Sequence, residues 1–169
     1  MEVENNKLQQ KLSLNSVEIR GVSVKENEDL YSILFSVGDA LGLALGTSDV
    51  SGIYRQSSND PVRPPPITAV FTRHDAAVNL VTSIRRRKGK LTTRDLRWKD
   101  NVAHDIYVSE SLAPSSRKLF AAARAARRAK VVKYAWTRNG NIYVRKEDEA
   151  SLIHVSKIAD IPEIPTKSS

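Results

Sequence analysis

The dipeptide Asn139-Gly140, set between "KYAWTR" and "NIYVRK", restricts this chain more than any other two residues. A two-residue type I′ turn needs positive φ at both central positions, which Asn and Gly tolerate best, and its twist suits two antiparallel strands. The β-branched and aromatic residues on either side therefore predict a hairpin. Counting outward from the turn pairs Arg138 with Asn141, Thr137 with Ile142, Trp136 with Tyr143, Ala135 with Val144 and Tyr134 with Arg145. Side chains alternate across a strand. One face then carries Tyr134, Trp136, Arg138, Asn141, Tyr143 and Arg145, and the other Ala135, Thr137, Ile142 and Val144. The small apolar set is predicted to pack inward, leaving the aromatic and cationic set in solvent. The opposing reading, in which Trp136 and Tyr143 form a cross-strand pair beneath another element, stays open at this stage.

The segment before the hairpin divides in the same way. Pro114 predicts a helix start, and the helix should run to about Lys130. At helical spacing Arg117, Arg124 and Arg128 form one stripe, with Leu119, Ala122, Ala123 and Ala126 opposite. Ala113 stands at the cap position and offers no side-chain acceptor, a small cost to the helix start. "SLIHVSK" reads as a further strand, and "IPEIPTKSS" as an unstructured tail.

Upstream, "SVEIRGVSV" alternates as a strand does. "NEDLYSILFSVGDALGL" places Leu30, Ile33, Leu34, Val37 and Leu41 at helical spacing, with Asn27 the expected cap and Gly42 the stop. "DVSGIYRQ" and "ITAVFTR" read as strands on either side of "SSNDPVRPPP", whose prolines fix φ and lack donors. "DAAVNLVTSIRRRKG" reads as a helix ending at Gly89, and "HDIYVSES" as a fourth strand. The expected fold class is α+β. A ferredoxin-like, RNA-recognition-motif-like βαββαβ domain over residues 15–111 is followed by a small helix-plus-hairpin domain over 112–161. Residues 1–14, with Leu8 and Leu12 on a heptad-like series, are the end of a coiled coil or a lead-in helix, and 162–169 a tail.

Charge narrows the function. Between Ser111 and Lys146 there are ten Lys or Arg and no Asp or Glu, within a chain of net charge +8. Such asymmetry draws polyanions. Guanidinium groups neutralise phosphates, and exposed rings stack on unpaired bases whatever their identity. The run "RRRKGK" either continues such a surface, acts as a nuclear-localisation cluster or ends a helix in solvent. Enzymatic activity is not expected. There is no cysteine, no phosphate-cradling glycine loop and no nucleophile elbow, and His74, His104 and His154 lack ligand spacing. No metal or other cofactor is expected. Nor is membrane insertion, since the longest apolar run is too short to span. An intracellular protein, nuclear or cytoplasmic, is the expectation.

"SVEIRGVSVKENEDLYSILFSVGDALGL" with "RPPPITAVFTR", and more closely "KLFAAARAARRAKVVKYAWTRNGNIYVRKED", resemble the baculovirus FP (few-polyhedra) protein family. The two-part layout also looks like the first-open-reading-frame RNA-binding protein of LINE-type retrotransposons. The resemblance implies binding of single-stranded RNA or DNA, with nucleic-acid chaperone activity, and assembly of copies through the amino-terminal segment. "PITAVFTR" departs from the usual aromatic consensus of an RNA-recognition motif. The expected binding residues are therefore Arg55, Arg85, Arg86, Arg87, Arg117, Arg124, Arg128, Tyr134, Trp136, Arg138, Tyr143 and Arg145. The alternative function is a structural adaptor of the FP type, whose basic face meets an acidic protein partner.

Overall fold

The computed structural model of the chain describes residues 4–5, 13–96 and 102–163. The heptad expectation on Leu8 and Leu12, Trp98, and nearly all of the tail lie outside these. The chain divides after Ser111 into two compact units.

The first, Leu14–Ser111, contains β1 (Ser16–Arg20), α1 (Leu30–Ala40), β2 (Val50–Arg55), β3 (Ile67–Phe71), α2 (His74–Arg86), β4 (Leu91–Thr92) and β5 (Asp105–Glu110). The strands form one antiparallel sheet in the order β2-β3-β1-β5-β4. One face is apolar for a simple reason: Val17 and Ile19, Ile67, Ala69 and Phe71, and Ile106 and Val108 occupy alternate positions, and all are buried. Ile33, Leu34 and Val37 of α1, and Ala77, Leu80 and Val81 of α2, complete the same core. Burying a side chain of Leu, Ile or Phe size contributes roughly 1.5–3 kcal/mol, so this face holds the unit together.

Local chemistry sets the ends of these elements. Asp29, rather than Asn27, caps α1, its Oδ1 accepting from the amides of Tyr31 (3.1 Å) and Ser32 (3.4 Å). Asn27 instead takes a positive φ of 55° in the preceding turn, a conformation Asn tolerates because its short amide bonds locally. Gly42, at φ 74°, stops the helix. Gly21 ends β1 at φ 94°, and a Cβ there would stand 2.1 Å from the Asp105 carbonyl oxygen, so no other residue fits without moving β5. The two-residue β4 was not read from sequence, where so short a segment shows no alternation.

The second unit contains α3 (Pro114–Arg128), β6 (Tyr134–Arg138), β7 (Asn141–Arg145) and β8 (Ile153–Val155), with the sheet order β6-β7-β8. Asn139 and Gly140 turn at φ 51° and 78°. The register is the one counted from that turn, from Arg138 opposite Asn141 to Tyr134 opposite Arg145. α3 opens on Pro114 with no side-chain cap, as Ala113 predicts. It closes with Lys130 N–H on the Arg127 carbonyl and Val131 N–H on that of Ala126, both 3.0 Å. That pattern is a Schellman motif, here with Lys130 at φ 62° where glycine is usual. Ala123, Val132, Ile142, Val144, Val155 and Ile161 form the core, flanked by Leu119, Phe120, Ala122 and Ala126. The alanines let α3 lie close against one face of the ribbon.

Candidate nucleic-acid interface

The face of the three-stranded sheet turned away from α3 carries a row of rings, one from each strand. Trp136 on β6 opposes Tyr143 on β7, which opposes His154 on β8. The Trp136 and Tyr143 rings are stacked, with centroids 5.6 Å apart and planes 25° apart. Tyr143 and His154 follow at 5.3 Å and 37°. The row is therefore continuous across the sheet. Trp136 and Tyr143 are half-buried and His154 is exposed, while Ile142 and Val144 beneath are buried at 2% and 0%. This resolves the sequence alternatives: the cross-strand pair exists, and it lies on the face opposite the core.

Cations border the row at the β6 end. The Arg145 guanidinium sits over the Trp136 ring at 5.9 Å, a distance at which a cation is attracted to the ring face. Its Nε is buried with no hydrogen-bond partner among the described residues. Beside it runs a groove of about 400 Å³ lined by Arg127, Tyr134, Ala135, Trp136, Arg145 and Asp148. Asp148 is the one acid in this lining. It accepts from Lys133 Nζ at 2.5 Å and from the Tyr134 hydroxyl. Those two donors hold its carboxyl below the usual aspartate value, and Asp148 in turn raises the Lys133 ammonium. Lys133 is thus already paired, which leaves Arg127 and Arg145 as the cations facing the groove.

The structure separates residues that the sequence grouped. Within the second unit, Arg117, Arg124 and Arg128 lie on the side of α3 opposite Leu119, Ala122, Ala123 and Ala126, the side that packs on the sheet. They face away from the rings and cannot touch a base stacked there. Arg117 donates to the Leu112 carbonyl at 3.3 Å, Arg124 lies over the Phe120 ring at 5.8 Å, and Arg128 is exposed. Arg138 is exposed at the turn end of β6.

Arg55 is a correction. All five of its N–H donors are committed inside the first unit. Nε and Nη2 bond the two Glu28 oxygens at 2.9 and 2.8 Å, Nη1 bonds the carbonyls of Val22 (2.8 Å) and Pro65 (2.6 Å), and Nη2 bonds that of Ser23 (3.2 Å). With 14% of its side chain exposed, it clips the connection after β1 to β2 and has no donor left for a phosphate. Arg87 is partly committed too, donating to Asp95 at 3.0 Å and to the Ala40 carbonyl. Arg85 and Arg86 are exposed in the last turn of α2, also in the first unit.

Sequence reasoning missed His154, Arg127 and Asp148. Only tertiary pairing gives the β7–β8 register, so no count from Asn139-Gly140 reaches His154. Arg127 lies on the flank of α3, between the arginine stripe and the packed side, and a two-sided reading of the helix passes over it. Among the described residues, no three His, Asp or Glu side chains cluster as a metal site requires, and no helix is long and apolar enough to cross a bilayer.

A helix laid on a three-stranded ribbon, with rings and arginines on the ribbon's free face, defines a small α+β module built around one exposed surface. Residues 113–165 match the family model described as baculovirus FP protein domain 2. The match covers the second unit from the residue before α3 to beyond the short 3₁₀ turn at Ile158–Asp160, and it supports the resemblance read from "WTRNGNIYVRK". No curated protein matches the chain.

Proposed function

We propose that the protein is a non-enzymatic binder of single-stranded nucleic acid, and that the second unit carries the binding surface. The observation behind this reading is the row Trp136–Tyr143–His154 on the free face of the sheet, with Arg145 over its first ring and Arg127 across the adjoining groove. Unpaired bases stack on such rings at roughly 1–3 kcal/mol each. The arginines supply phosphate contacts that strengthen as salt falls. A duplex hides its ring faces inside the helix and meets only the charge, so single strands bind more tightly. Nucleic-acid chaperone activity is consistent with a surface that holds bases unpaired without reading them.

The succession β1-α1-β2-β3-α2-β5 and the sheet order β2-β3-β1-β5 support a ferredoxin-like reading of the first unit, in the manner of an RNA-recognition motif, with β4 added at one edge. We do not place the ligand on that sheet. Its outward face carries the buried polar side chains Ser16, Glu18 and Thr68, and Glu18 Oε1 accepts from Arg20 Nε at 2.7 Å. Glu18 and Thr68 are buried and already paired, to Arg20 and Gln56, which leaves the middle of that face without a free group for a ligand.

The test is an equilibrium titration of the full chain with single-stranded RNA, single-stranded DNA and duplex at several salt concentrations. Single strands should bind, with a log–log salt slope of about −0.7 for each phosphate neutralised. Absence of binding at low salt, together with tight binding of an acidic polypeptide, would replace this reading with that of an adaptor for an acidic protein.

A further inference from the structure

We propose that His154 is a third base platform of the surface, so that the bound strand runs across β6, β7 and β8 instead of along them. The inference rests on the single-strand reading above and deepens it. Three observations carry it. The β7–β8 register sets His154 directly opposite Tyr143, on the face that also bears Trp136. The ring distances of 5.6 and 5.3 Å are nearly equal, so the imidazole continues the row without a gap. His154 is also exposed, so its contact with Tyr143 does not bury it.

Charge gives the row a direction. The cations beside the rings, Arg127 and Arg145, lie at the Trp136 end, in the groove along β6. Phosphates should anchor there while successive bases lie toward β8. A strand running along β6 would instead meet Tyr134 and Trp136 and never reach His154. The two paths therefore make different demands on ligand length. A short oligonucleotide seated at the arginine end touches Trp136 alone, and only a longer one reaches the imidazole.

Oligothymidylates of about two to about ten nucleotides, a range around the smaller site sizes of single-strand binders, would be titrated against the full chain and against His154→Ala, His154→Phe and Trp136→Ala. Trp136→Ala should weaken every length. His154→Ala should weaken the longer oligonucleotides by roughly tenfold and leave the shortest unchanged. His154→Phe, which keeps a ring, should restore most of the loss. An unchanged affinity in His154→Ala for all lengths, with Trp136→Ala still weakened, overturns the third platform and leaves the single-strand reading standing. A uniform loss in His154→Ala that the Phe variant does not restore also overturns it, since that pattern belongs to a local structural role. If the unaltered chain binds no oligonucleotide, both inferences fall together.

Discussion

Each of the two sheets carries a central row of side chains across its strands on the face away from its helices, and the two rows differ in chemistry. In the first unit the row is Tyr54, Thr68, Glu18 and Ser109, aligned by the pairing of β2, β3, β1 and β5. In the second it is Trp136, Tyr143 and His154. The first row centres on a buried carboxylate held by Arg20, and this unit's Arg55 is bound up with Glu28 and three backbone carbonyls. The second row centres on a ring, with Arg145 over Trp136 and lining the adjoining groove. Arginine is plentiful in both units. What separates a structural arginine from a binding one is whether the fold has already filled its donors.

The strongest way to break this contrast is to remove a structural arginine. Arg55→Ala leaves the Glu28 carboxylate and the carbonyls of Val22, Ser23 and Pro65 without their donor in a mostly buried site. It should destabilise the first unit by about 3 kcal/mol in denaturant unfolding, with oligonucleotide affinity unchanged once the protein is folded. Unchanged stability with lost binding would return Arg55 to the interface. The same pair has a pH signature. Bonding to Arg55 lowers the Glu28 carboxyl from its ordinary 4.5. A depressed carboxyl pKa gives stability that is present above the unfolded value and lost as pH falls through the folded one. Acid unfolding of this unit should therefore steepen below about pH 4.5, and Glu28→Gln should flatten that part of the curve.

Next in size is Trp136→Ala, expected to weaken single-strand binding by about 1–3 kcal/mol with little change in salt slope. The ring is half-buried on the free face, so thermal unfolding should shift much less than affinity does. The smallest effect sharpens the division within the second unit. Arg127→Ala with Arg145→Ala should reduce the salt slope by about 1.4, or 0.7 per lost phosphate contact. Arg124→Ala with Arg128→Ala, on the far side of α3, should leave the slope nearly unchanged. Equal slopes in the two double variants would show that the ligand wraps the helix as well.

How much of this was legible in the sequence follows the range of the interactions involved. The hairpin register was readable because a two-residue turn fixes every pair beyond it. The core faces were readable because alternation and helical spacing are local. Asp29 displaced Asn27 as a cap once the chain turned left-handed at Asn27, a choice between two neighbouring acceptors that the sequence leaves balanced. Arg55 looked free because its partner Glu28 lies 27 positions away. His154 was passed over because its place in the row depends on β8 pairing with β7, which no local turn dictates. The arginine stripe of α3 was legible as a stripe, but the side of the ribbon that the helix covers is a tertiary fact, and it sends the stripe away from the rings.

The most direct test of the central claim is a map of backbone and side-chain resonances in the full chain as single-stranded oligothymidylate is added. The changes should concentrate on Trp136, Tyr143, His154, Arg127 and Arg145, with the first unit's sheet quiet. Changes centred on Tyr54 and Tyr107 of the five-stranded sheet, with the ring row of the second unit unmoved, would contradict it.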